Sequence, residues 1–135
     1  MRVLAENVHF RMTLDDERSL VRWARTAVPY DAVEQFEDVA RATVLALLAI
    51  DRAKHTLLVD LRDGPMRNDE AFEQVALRFR RDVHHDFARS AVLVRSRAGK
   101  LQIDRHHTER PGEIPNHPTF LDEAEAIEFL AGKRG

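Results

Sequence analysis

Hydrophobic and polar residues alternate early in the chain: Val8, Phe10, Met12 and Leu14 are separated by His9, Arg11 and Thr13. A period of two is the pattern of a half-buried strand. Asp15-Asp16-Glu17-Arg18 makes a polar turn, and a second strand follows at about Ser19 to Thr26, with Val21 and Trp23 on one face. Two such segments joined by a polar turn predict an antiparallel hairpin. After Pro29 the period lengthens. Val33, Phe36, Ala40, Val44, Leu47 and Leu48 fall at helical spacing, with Asp31 placed to cap a helix that ends near Lys54.

The run Thr56-Leu57-Leu58-Val59-Asp60-Leu61 suits a buried central strand, and Arg62 to Arg67, with Gly64-Pro65, a loop. Asn68 is an N-cap residue, and Asp69 and Glu70 complement the helix dipole. The helix they open buries Phe72, Val75, Phe79 and Val83 and runs to about Asp86. Ser90 to Val94 forms the next strand. Residues 97–106 read either as a helix capped by Ser96 or, from the alternation at Lys100-Leu101-Gln102-Ile103, as a strand. The helix is preferred, because parallel strands need a crossover. Pro111, Gly112, Pro115 and Pro118 predict a loop, and Thr119-Phe120-Leu121 a last short strand. Asp122 and Glu125 have capping-box spacing, and Gly132 stands where a C′ glycine belongs.

The resulting order, β-β-α-β-α-β-α-β-α, predicts an α/β fold. Its short mixed sheet begins with an antiparallel hairpin and continues in parallel βα units. No repeat or linker interrupts the 135 residues, so 1–135 reads as a single domain. With no cysteine, disulfides, thiolate metal sites and thiol nucleophiles are excluded. The N-terminus reaches Glu6 too early for a secretory signal. The longest apolar run, Ala42 to Ile50 interrupted only by Thr43, falls short of the roughly 18 residues that span a bilayer. A cytoplasmic protein is expected.

The net charge of −2 conceals a division. Residues 78–110 carry 9 basic and 4 acidic side chains and four of the seven histidines, while both flanking segments are acidic. Such asymmetry can mark an anionic partner, but a solvated helix face and loop is the plainer reading.

The chain resembles the STAS, or anti-anti-sigma-factor-like (STAS/CRAL-TRIO-like), small bacterial domains over residues 8–131. The likeness rests on the hairpin, on Leu57-Leu58-Val59-Asp60-Leu61-Arg62, on Ala91-Val92-Leu93-Val94-Arg95 and on Phe120-Leu121-Asp122-Glu123-Ala124-Glu125-Ala126. It implies a fold more than a function. Members that act in sigma-factor switches carry a phosphorylatable Ser or Thr at the helix start after the strand matching 57–61. Leu57 to Arg89 contains neither residue, and Asn68-Asp69 holds that place. The resemblance therefore implies a module without that phosphorylation switch.

Ligands of parallel α/β sheets bind beyond the carboxyl ends of the strands. Those ends gather Arg62, Asp63, Arg67, Asn68, Arg95, Ser96 and Arg97. Two helix starts, at Asn68 and Ser96, would add partial positive charge, so the set is a candidate anion crevice, or else a group of exposed, internally paired loop residues. His84-His85 and His106-His107 lack the spacing of a metal site, since neighbouring helical residues point about 100° apart, and no metal or cofactor is expected. Asp60, in a buried strand, is a candidate base or a satisfied structural acid. No nucleophile elbow is present, and nucleic-acid binding has only Trp23 and Phe10 to recommend it.

Two functional readings follow. One is a non-enzymatic regulatory or protein-interaction module of STAS-like type, binding a protein partner. The other is a binding protein or enzyme for an anionic small molecule, using the crevice. Residues 42–50 are apolar around nearly the whole helix, so a second copy of the chain, or a neighbouring element, is expected to cover the surplus.

Overall fold

The computed structural model describes residues 1–65, 67, 69–109 and 117–132. Its elements are β1 (Arg2–Glu6), β2 (Phe10–Asp15), β3 (Leu20–Arg25), α1 (Val33–Leu47), a 3₁₀ turn (Arg52–Lys54), β4 (Thr56–Asp60), α2 (Glu70–His84), β5 (Arg89–Leu93), α3 (Arg97–Glu109), β6 (Thr119–Phe120) and α4 (Glu123–Leu130). The six strands form one sheet in sequence order. β1, β2 and β3 are antiparallel neighbours, and β3 to β6 run parallel. The predicted α/β class, hairpin and parallel units are all present.

Alternation along the strands sorts the two faces. Phe10, Met12, Leu14, Val21, Trp23, Leu57, Val59, Val92 and Val94 form one core with Val39 and Leu47 of α1 and Phe72, Phe79 and Val83 of α2. Leu20, Leu58, Ala91 and Leu93 form a second core with Ala126 and Leu130 of α4. The central strands are therefore covered on both sides, which is why β4 reads as an unbroken apolar run. Trp23 fixes the first core with a polar bond as well: its Nε1–H donates to Thr43 Oγ1 at 3.0 Å, and that hydroxyl donates to Val39 O at 2.8 Å.

Several boundaries differ from expectation. β1 was not anticipated. Its side chains range from exposed to half-buried with no clean alternation, so it carries no period-two signal, and it joins the sheet through backbone pairing with β2. Val8 lies before β2 and is 65% exposed, because the Asn7 side chain accepts the His9 and Phe10 N–H groups and turns the chain there. Asp31 does not cap α1. The cap residue is Ala32, and the side-chain contact runs the other way, the Asp31 N–H donating to Gln35 Oε1 at 2.6 Å. α1 also stops at Leu47, short of Lys54. The N–H groups of Leu48, Ala49 and Ile50 bond three residues back, tightening the chain into the turn that Asp51 caps. Leu48, assigned to the buried stripe, is 75% exposed, and Val39 and Thr43 take the buried positions.

α2 ends at His84 rather than Asp86, whose φ of 68° turns the chain back toward β5. Its cap position is Asp69, and Asn68 lies outside the described residues. Ser96 caps α3 as expected, its Oγ accepting the Gly99 N–H at 3.2 Å, so residues 97–106 are helix. Asp122 Oδ1 accepts the Ala124 N–H at 2.8 Å at the start of α4. At its end Gly132 adopts φ 76°, a left-handed conformation that costs other residues more. Pro111, Gly112 and Pro115 lie outside the described residues. No helix among the described residues is long and apolar enough to cross a membrane.

Candidate functional site

Two constellations of charge stand at the carboxyl ends of the parallel strands, one on each face of the sheet. On the α4 face, Arg22 of β3 and Asp60 of β4 are brought together by parallel pairing, with Arg62 just beyond. Arg62 Nε and Nη2 donate to Asp60 at 3.0 and 2.9 Å, and its backbone N–H adds a third bond at 3.1 Å. Arg22 Nη2 donates to the same carboxylate at 2.9 Å. Both guanidiniums also reach Glu123 Oε1 at 2.7 Å, in the first turn of α4. Burial alone would raise the Asp60 carboxyl, but its bonds from Arg62 and Arg22 outweigh that and hold it below the usual range. Asp60 is thus a locked structural acid. Of the two readings of Asp60, the satisfied structural acid stands and the base does not.

On the opposite face lies a cavity of about 180 Å³. Its floor is Trp23, Val59 and Val92 of the sheet, its walls are α2 and α3, and its mouth is the loop after β4. Phe72, Ala76, Arg80 and His84 line it at four-residue intervals, one face of α2. Gly99, Gln102 and Ile103 come from α3, and Tyr30 and Phe36 from the segment entering α1 and from its first turns.

Arg25 ends β3 on the same side as Val21 and Trp23 and is 7% exposed. Its Nη1 donates to His9 O at 2.9 Å and Thr26 O at 3.1 Å, and its guanidinium carbon sits 4.0 Å from the Tyr30 ring centroid. Among the described residues it pairs with no carboxylate. Burial lowers its pKa, while the neighbouring Tyr30 acts to raise it. Gly64 makes room for its stem: a Cβ there would lie 2.5 Å from Arg25 Cγ. Arg80 is more deeply placed, 4% exposed, with its pKa lowered to about 10 by burial against the opposing pull of Asp104. It donates from Nη1 to Ile103 O at 3.3 Å and contacts His117 Nε2 at 3.4 Å, where His117 stacks on His84 at 3.9 Å between centroids.

Of the residues anticipated for the crevice, Arg62, Arg67, Arg95 and Ser96 line this cavity. Arg62 spends its charge on the opposite face. Arg67 lies 3.9 Å above the Phe72 ring and bonds Asp69 at 2.5 Å, while Arg95 is exposed. Asp63 and Arg97 are exposed and do not line the cavity, and Asn68 lies outside the described residues. Among the described residues no group of three His, Asp or Glu side chains could hold a metal ion. His85 pairs with Asp86 at 3.0 Å, and the side chains of His106 and His107 lie outside what the structure describes.

Sequence reasoning passed over Arg25, Tyr30 and Arg80. Two signals were available: Arg25 continues the alternation of Val21 and Trp23 onto the buried face, and Arg80 lies eight residues after Phe72 on one helix stripe.

No family model matches the chain, and no curated protein matches it. Among solved structures it is similar to an uncharacterised protein of the DUF3478 family, with a SpoIIAA-like fold, from Shewanella loihica PV-4. The TM-score is 0.52 at 16% identity, over 93% of this chain and 98% of that one. The chain therefore has the SpoIIAA-like, STAS-like fold, and at that identity the likeness concerns the fold alone.

Proposed function

We propose that this STAS-like chain is a non-enzymatic binding module whose cavity takes a small amphipathic anion. The observation that carries this reading is Arg25, a buried guanidinium without a carboxylate partner among the described residues, in the wall of a cavity whose aromatic and aliphatic floor is rimmed by Arg67, Arg80, Arg95 and a single carboxylate, Glu73, which accepts from Arg105. Burying a charge is costly unless it is paired, so an anion seated beside Arg25 would recover energy that the empty fold forgoes. The aromatic and aliphatic lining asks for an apolar body on the same molecule. Arginine binds and orients anions without exchanging protons near neutrality, which favours holding over turnover.

Thermal denaturation with hexanoate, hexanol and chloride at fixed ionic strength tests the reading. Hexanoate at 100 Kd adds about 2.7 kcal/mol, a rise of roughly 9 °C for a chain this size. Hexanol and chloride are expected to give far less, and Arg25→Gln to remove the hexanoate-specific part. Equal responses to all three, or an unchanged response in the variant, would overturn it.

A second reading, docking of a protein, is favoured by Leu45 and Leu48 of the α1 end, which are 65% and 75% exposed. A second copy of the chain is the partner this reading selects.

A further inference from the structure

Tyr30 is the single tyrosine of the chain, and it is 8% exposed in the cavity wall. Its hydroxyl is buried and finds no hydrogen-bond partner among the described residues. Burial pushes its pKa up to about 12 against the opposing effect of Arg25, so near neutrality the group is an O–H donor. Buried hydroxyls are almost always bonded, and an orphan costs stability. Packing does not call for it. The Tyr30 ring stacks on Phe36 at 4.9 Å and 12° and on Phe72 at 6.2 Å and 30°, contacts that a phenylalanine would keep. An acceptor supplied by a ligand would satisfy the hydroxyl.

A second observation concerns the rest of the wall. Five of the nine aromatic residues of the chain, Trp23, Tyr30, Phe36, Phe72 and Phe79, line this one cavity. Rings attract rings at centroid separations of 4.5–7 Å beyond what buried area explains. The volume is suited to one ring, since an apolar cavity of about 150 Å³ holds benzene and this one measures about 180 Å³. Resting on the anion-binding reading above, we propose that the ligand is a single-ring aromatic carboxylate. Its ring packs among these side chains, and its carboxylate accepts from the Tyr30 hydroxyl beside the Arg25 guanidinium.

Calorimetric titration of benzoate, cyclohexanecarboxylate and toluene into wild type and Tyr30→Phe tests the assignment, with melting temperatures of the unliganded proteins and a hexanoate titration alongside. Benzoate is expected to bind wild type several-fold more tightly than cyclohexanecarboxylate. Tyr30→Phe should weaken benzoate about tenfold and leave toluene unchanged. The unliganded variant should melt at or above wild type, because it loses an unbonded buried hydroxyl. Equal affinity for the two ring acids overturns the aromatic class. Unchanged benzoate binding in Tyr30→Phe, or a lower melting temperature of the unliganded variant, overturns the role of the hydroxyl. In each of those cases hexanoate binding to wild type persists, whereas its loss as well would mean that the anion-binding reading itself has failed.

Discussion

Asp60→Asn removes the carboxylate on which Arg22 and Arg62 converge, and the structure sets the size of the loss. Asp60 accepts four bonds, three from Arg62 and one from Arg22, and is 8% exposed. Asparagine keeps one acceptor oxygen and turns two N–H donors toward guanidinium donors. Breaking a fully buried pair costs about 3–5 kcal/mol, and losing an exposed one about 0.2–1. The Arg22 and Arg62 side chains are 27% and 38% exposed, so the cost falls between, at about 2–3 kcal/mol. For a chain this size that is a fall of roughly 7–10 °C in Tm. Urea denaturation followed by fluorescence of Trp23, the one tryptophan, reads it directly. The pH dependence gives an independent check. The Asp60 pKa is lowered in the folded state, so its contribution is complete above the unfolded value of about 3.9 and is lost as pH falls through the folded one. The gap between wild type and variant should be steady from pH 7 to 5 and narrow below about 4. A gap under about 0.5 kcal/mol at pH 7, the size of an ordinary surface substitution, would refute the claim that this network pins α4 to the sheet. So would a gap that does not shrink in acid.

Thr43→Val keeps the shape of the core but leaves the Trp23 indole N–H without its acceptor, and should cost about 1–3 kcal/mol by urea denaturation. Gly64→Ala puts a Cβ 2.5 Å from Arg25 Cγ, near the root of that side chain, and should cost about 1–3 kcal/mol while abolishing the hexanoate response. A protein that keeps both stability and response would show that Arg25 tolerates displacement. Native mass spectrometry at micromolar concentration should show a dimer that Leu45→Glu/Leu48→Glu disperses, and a clean monomer would end that expectation.

What the sequence made legible was the frame, and the reason is periodicity. Val21 and Trp23, or Phe72 and Phe79, announce a buried face by spacing alone, and Ser96, Asp122 and Gly132 mark helix ends through local bonds that need no distant partner. β1 was invisible because its place depends on backbone pairing with β2. The early end of α1 was hidden because Ala42 to Ile50 stays apolar past the last helical turn. The site was half legible for a related reason. The carboxyl ends of the strands and the loop arginines follow from topology, but which face each guanidinium serves depends on partners far off in sequence. Glu123 draws Arg62 to the α4 side across 61 residues. Arg25 and Arg80 read as ordinary surface charges until the fold encloses them.

One resonance reports whether the cavity beside Arg25 takes an amphipathic anion. Trp23 lines the cavity, and its indole N–H is the single tryptophan signal in a ¹H–¹⁵N spectrum. Titration with hexanoate is expected to shift that signal saturably, together with the amides of Gly64 and Gly99 and the side-chain amide of Gln102 around the same cavity. An indole that stays in place while scattered surface amides drift linearly would mean that no anion enters the cavity.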